Sequence, residues 1–152
     1  MLHVVLYEPE IPANTGNIGR LCVATGATLH LVGRIGFRLS DRELKRAGLD
    51  YWPLVRLQRH ATLADFEASH PVDRLFCCEN DPAGQLYTQI AYRPGDALLF
   101  GSESRGLPAE VLARHADRIV RIPMPTGAVR SLNLAGTVSI LVYEALRQIY
   151  NW

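Results

Sequence analysis

The sequence predicts an α/β fold, a parallel sheet with helices on both faces, and three observations carry that prediction. Short apolar runs recur at residues 2–6, 29–32, 54–57, 75–78, 97–100 and 119–122, each of strand length. Stretches with helical start signals lie between them, and strands alternating with helices make a parallel sheet buried on both sides. The chain has 152 residues, 48% hydrophobic and 20% charged, which suits a single domain over residues 1–152 with a sizeable core.

The helices follow in order. One is expected from near Thr15 toward Thr25. Ser40 with Glu43, and Thr62 with Asp65, have the spacing of N-terminal caps. Pro108 stands where a first helical turn tolerates proline and opens a helix over 108–115. The last and longest helix is expected over 131–150. It carries Leu134, Val138, Leu141, Val142, Ala145 and Ile149 on one side, and Leu132, Ile140 and Leu146 elsewhere. That is more apolar surface than one sheet-facing stripe requires: either the helix is buried deep in the core or, the reading favoured for a chain this small, it packs against a second subunit.

Composition excludes several classes. No apolar run approaches the roughly 20 residues of a membrane span. Residues 1–6 lack a basic segment, so no signal peptide is expected. Cys22, Cys77 and Cys78 are odd in number and two are adjacent, which suits reduced thiols in a cytoplasmic protein. His3, His30, His60, His70 and His115 show no His-x-x-x-His spacing and the cysteines no Cys-x-x-Cys, so no metal site is expected. Net charge is only +1, but it is unevenly spread. Residues 34–59 hold seven basic side chains against three acidic ones, and residues 60–110 reverse the balance. Of 16 basic residues 15 are Arg, the side chain that grips phosphate bidentately and stacks on bases.

Three loops follow predicted strands, at the carboxyl edge where parallel sheets bind ligands. The first is Glu8-Pro-Glu-Ile-Pro-Ala-Asn-Thr-Gly-Asn-Ile-Gly-Arg20. Gly16 and Gly19 are expected to let a ligand approach the start of a helix, with Arg20 one turn inside. Their spacing lacks the Gly-x-Gly of dinucleotide sites. The second is Phe100-Gly-Ser-Glu-Ser-Arg-Gly-Leu-Pro108, in which Leu107 and Pro108 replace the Lys and Ser or Thr of a P-loop; Glu103 and Arg105 are expected to pair locally. The third is Ile122-Pro-Met-Pro-Thr-Gly-Ala-Val-Arg-Ser-Leu-Asn133, stiffened by Pro123 and Pro125, with Ser131 or Asn133 available as a cap. Cys77 and Cys78 end a strand and read as core rather than nucleophile.

These loops, in this order, resemble the motifs of the SPOUT methyltransferases, in their ribose 2′-O branch. Asn14-Thr-Gly-Asn-Ile-Gly-Arg20 is similar to the first motif and Phe100-Gly-Ser-Glu-Ser-Arg-Gly-Leu107 to the second. Ile122-Pro-Met124 with Ser131-Leu-Asn-Leu134 is similar to the third. Pro9-Glu-Ile-Pro12 and Arg46-Ala-Gly-Leu-Asp-Tyr51 resemble one small subfamily, the minimal TrmL-like enzymes that methylate the wobble ribose, cytidine or uridine, of certain tRNAs. The resemblance covers nearly the whole chain.

It implies a C-terminal trefoil knot, a feature that pattern rules would not reach because knots are nearly absent from folds. It implies S-adenosylmethionine as cofactor, held near Cys78, Gly101, Glu103, Ile122, Met124, Ser131 and Leu132. Arg20 carries the chemistry, aided by Asn14, Ser131 and Asn133. The partners implied are a tRNA anticodon stem-loop, contacted by Arg42, Arg46 and Arg130, and a second copy joined through the C-terminal helix. Ala135 and Gly136 depart from the family pattern, which has small polar residues there. Two rivals are a same-branch enzyme acting on ribosomal RNA or another tRNA position, and a dimeric RNA-binding module without catalysis. The first usually carries an added RNA-binding domain, and the second would not need Arg20, Glu103 and Asn133.

Overall fold

The structure is a computed structural model that describes residues 1–38, 50–70 and 72–152. The expected cap at Ser40 and Glu43, and the basic side chains of Arg42, Lys45 and Arg46, lie outside the described residues. Seven strands form one sheet: β1 (His3–Tyr7), β2 (Thr28–Val32), β3 (Leu57–His60), β4 (Leu75–Cys78), β5 (Gln85–Leu86), β6 (Ala97–Phe100) and β7 (Ile119–Arg121). Their order is β3-β2-β1-β6-β4-β7-β5 and every pairing is parallel. The helices among the described residues are α1 (Pro12–Thr25), α2 (Leu63–Ser69), α3 (Ala109–Arg114) and α4 (Leu134–Ile149).

Side-chain alternation along β1 explains the layering. Val4 and Leu6 point to one face, where they join Ile18 and Cys22 of α1 and Val138, Leu141 and Val142 of α4. Val5 points to the other, among Leu63 and Phe66 of α2 and Val111 of α3. Both faces are therefore covered, as the apolar runs of β4 (LFCC) and β6 (ALLF) required; all eight of their residues are buried.

Three elements differ from the sequence reading. Strand β3 starts at Leu57, because Trp52–Leu54 closes a 3-10 turn around Pro53 and leaves Leu54 exposed. Helix α1 starts at Pro12 rather than Thr15, with proline in its first turn, where its missing N–H costs nothing. The last helix starts at Leu134: Asn133 is its cap, accepting from the Gly136 N–H at 3.3 Å, and Ser131 lies before it. The two-residue β5 was not anticipated.

The amino-terminal edge of the sheet is pinned by one ion pair. The Arg74 Nε donates to Asp96 at 2.8 Å, and its Nη2 reaches the Ala91 carbonyl at 2.8 Å. Asp96 is buried and also accepts from the Arg93 N–H at 2.8 Å. Removing one partner strands a buried charge, so Arg74→Met is expected to cost about 3 kcal/mol. Thermal unfolding should show it as a fall in Tm of roughly 6–12 °C.

Candidate active site

The strand order reverses at β1, whose neighbours are β2 on one side and β6 on the other. Loops leaving β1 and β6 diverge there and open a crevice at the carboxyl ends, the usual ligand position in such sheets. The described residues hold a cleft of about 510 Å³ at that edge, within the size range of small-molecule sites. All three sequence motifs reach it. Asn14 comes from the first; Gly101, Glu103 and Gly106 come from the second; Ile122, Met124, Arg130, Ser131, Leu132 and Asn133 come from the third. Cys78, Glu79 and Asn80 add the end of β4.

The loop after β6 turns back sharply on itself. A Cβ at Gly101 would sit 2.1 Å from the Gly106 carbonyl carbon and 2.3 Å from the Leu107 nitrogen. Gly106 donates its N–H to the Ser102 carbonyl at 2.9 Å and adopts φ +67°, so both glycines are dictated by backbone. Glu79 closes the turn from outside, accepting from the Leu107 N–H at 2.9 Å.

Carboxylates fasten this loop to the one after β1. Glu103 accepts from the backbone N–H groups of Glu10, at 3.1 and 3.2 Å, and of Ile11. Those groups precede α1, so the carboxylate meets the positive end of that helix. In return Glu10 accepts from the Ser104 hydroxyl at 2.7 Å and its backbone N–H at 3.3 Å. Hydrogen bonds from Ser104 and Ser102 hold the Glu10 carboxyl below its ordinary range. The expected local pair of Glu103 with Arg105 does not form: Glu103 is taken by the α1 start, and Arg105 lies 3.7 Å from Glu8.

The third loop is tied to both others. Asn133 donates from Nδ2 to the Asn14 Oδ1 at 3.0 Å, joining the starts of α4 and α1. The Asn80 side chain donates to the Arg130 carbonyl at 3.0 Å. Burial pushes the Cys77 thiol up to about 12 and the Cys78 thiol well above its ordinary value, which removes both as nucleophiles at neutral pH.

Two features of the first motif stand elsewhere than expected. Gly16 and Gly19 lie inside α1, not at its start, and the close approach at Gly19 is made by an aromatic side chain. A Cβ at Gly19 would meet the Trp52 ring at 2.5 Å, and the Gly16 carbonyl accepts from the Tyr51 hydroxyl at 2.9 Å. Arg20 does not line the cleft. Its exposed guanidinium lies 5.8 Å from the centre of the Tyr51 ring, in a cation–π contact. Gly136 has open space where a side chain would stand.

Residues 1–143 match the SpoU rRNA Methylase family. The chain belongs to that family. A SpoU-type relative from Escherichia coli (strain K12), named tRNA (cytidine(34)-2'-O)-methyltransferase, is 48% identical over 153 residues, which are 98% of this chain and 94% of its own. A Burkholderia ambifaria protein of the same name is 46% identical, over 97% of this chain and 96% of its own. Among solved structures, one described as "Structural insights into the 2-OH methylation of C/U34 on tRNA" shares 50% identity at a TM-score of 0.91, over 100% of this chain and 98% of that one. The AdoMet-bound rRNA methyltransferase from Sinorhizobium meliloti shares 32% identity at a TM-score of 0.81, over 96% of this chain and 56% of that one. The family read from three ordered motifs is thus borne out, as is the parallel α/β fold.

Proposed function

We propose that the chain transfers a methyl group from S-adenosylmethionine to the ribose 2′-hydroxyl of the wobble cytidine or uridine of tRNA. One observation carries the reading. The three motif loops converge on one cleft, in a chain 48% identical to a tRNA (cytidine(34)-2'-O)-methyltransferase over 94% of that protein. The residues fit the cofactor. Apolar Ile122, Met124 and the part-exposed Leu132 suit its adenine and ribose, while Asn80, Ser131 and Asn133 suit its polar groups. Bound there, it supplies an electrophilic methyl. Pro123 and Pro125 stiffen the loop, so its carbonyls are held ready at small entropic cost.

The protein's remaining task is the nucleophile. A ribose hydroxyl is weak, and attack builds negative charge on its oxygen. Arg20 is permanently charged, so it stabilises that charge or orients a phosphate that takes the proton. Arg20 stands outside the cleft wall because its partner is the RNA and not the cofactor. Asn14 and Asn133 hold the cleft's floor between the two helices, and Arg130 at the mouth meets RNA phosphate.

Several further features belong to the same proposal. The basic 34–59 segment, including Arg42 and Arg46, docks the anticodon stem. A second copy covers the outer side of α4, where Ile140 and Tyr143 stay exposed, and the exposed Tyr150 and Trp152 that follow it. In this reading the third loop threads the family's trefoil knot. The proposed tRNA substrate places the protein's work in the cytoplasm.

Synthetic anticodon stem-loops that carry ribose or 2′-deoxyribose at the wobble position test this directly. Methyl transfer to the ribose form alone is expected. Equal labelling of both would place the acceptor on another atom.

A further inference from the structure

Four of the five histidines, from positions 3, 30, 60 and 70, meet on the face of the sheet opposite α1 and α4. His30 lies on β2 and packs edge-on against Phe66 of α2, which belongs to the other core from the one beneath the cleft. The His30 Nδ1 is 3.0 Å from the His60 Nε2, at the end of β3. The His30 Nε2 is 2.9 Å from the His3 Nδ1, on β1. His70, at the end of α2, lies against the rings of both His30 and His60. A ring nitrogen of each of His30, His60 and His70 lies within 4.8 Å of the other two.

We propose that His30, His60 and His70 bind a divalent transition-metal ion, Zn²⁺ foremost, at a site separate from the methyltransferase cleft. Five features fit. Three imidazoles are a common ligand set for Zn²⁺, which sits about 2.0–2.1 Å from each nitrogen. The His30 and His60 nitrogens, in hydrogen-bond contact at 3.0 Å, need part by only about 0.3 Å to share such an ion, and the His70 ring stands beside both. The His70 Nδ1 is buried without a hydrogen-bond partner among the described residues, an arrangement that a buried polar atom rarely keeps. The second nitrogen of His30 faces His3, so His3 orients the ligand as an outer-shell partner does. His60 and His70 are only half-buried, which leaves an entry path and a position for water.

The ion ties β2, β3 and the end of α2 together.

The test uses untagged, full-length protein stripped with chelator, titrated with Co²⁺ and with Zn²⁺. Saturable uptake of about one Co²⁺ per chain is expected, with the visible absorption of a four-coordinate ion. Zn²⁺ in roughly hundredfold excess over its Kd should raise Tm by about 5–10 °C. The His60→Gln and His70→Gln double variant should bind at least tenfold more weakly and lose the Tm rise. Should that variant not fold, imidazole NMR of the wild-type chain decides: Zn²⁺ should shift the signals of His30, His60 and His70 and leave His115 in place. No saturable uptake by the wild-type chain overturns the proposal. So does equal uptake by a folded double variant, or Zn²⁺ shifts that miss these three residues. Wobble-methyl transfer is measured separately, so failure here leaves the proposed function intact.

Discussion

Arg20→Ala is expected to reduce methyl transfer to tRNA by at least about 10²-fold while S-adenosylmethionine binding stays within a few-fold of wild type. The separation follows from geometry. Arg20 stands outside the cleft proposed to hold the cofactor, on the exposed side of α1, with its guanidinium over Tyr51. Removing a group that stabilises a developing oxyanion typically costs 10²–10³-fold in rate. Single-turnover labelling at saturating tRNA, paired with calorimetric cofactor titration, separates the two effects. Loss of cofactor binding in the variant would move Arg20 from the RNA side of the reaction to the cofactor side.

Gly101→Ala is expected to be as severe by a different route. Its Cβ would stand 2.1–2.5 Å from the backbone of Gly106 and Leu107, where no flexible side chain can yield. The 101–107 turn must open, and the Glu103 tether to the start of α1 moves with it. Overpacking of this kind costs about 3 kcal/mol; where the opened turn must close again around the cofactor, that cost falls on binding and is roughly a hundredfold in affinity. Gly36→Ala is the control, since a Cβ there meets nothing within 4 Å. Wild-type affinity in Gly101→Ala would mean that this turn does not shape the cofactor site.

Legibility in the sequence followed burial. Strands β4 and β6 were readable to the residue because both of their faces are covered, which leaves uninterrupted apolar runs. Strand β3 lies at the sheet edge, where Gln58 and Arg59 face solvent, so the apolar residues around Pro53 imitated a strand better than the strand itself did. The cleft was legible because its residues sit in loops that follow strands. Its fastening was not: Glu103 meets Glu10 across 93 positions and Asn133 meets Asn14 across 119. Gly16 and Gly19 suggested a ligand because glycine marks close approach without saying of what. At Gly19 the approach is that of Trp52. The histidines looked scattered for the same reason, since the parallel register of β1, β2 and β3, and not local spacing, assembles them.

The most direct test of the central claim is transfer of labelled methyl from S-adenosylmethionine to total tRNA lacking the wobble methyl, followed by nuclease mapping. A labelled 2′-O-methyl nucleotide at the wobble position, absent with Arg20→Ala, is the predicted result. Label at another position, or on ribosomal RNA alone, would contradict it.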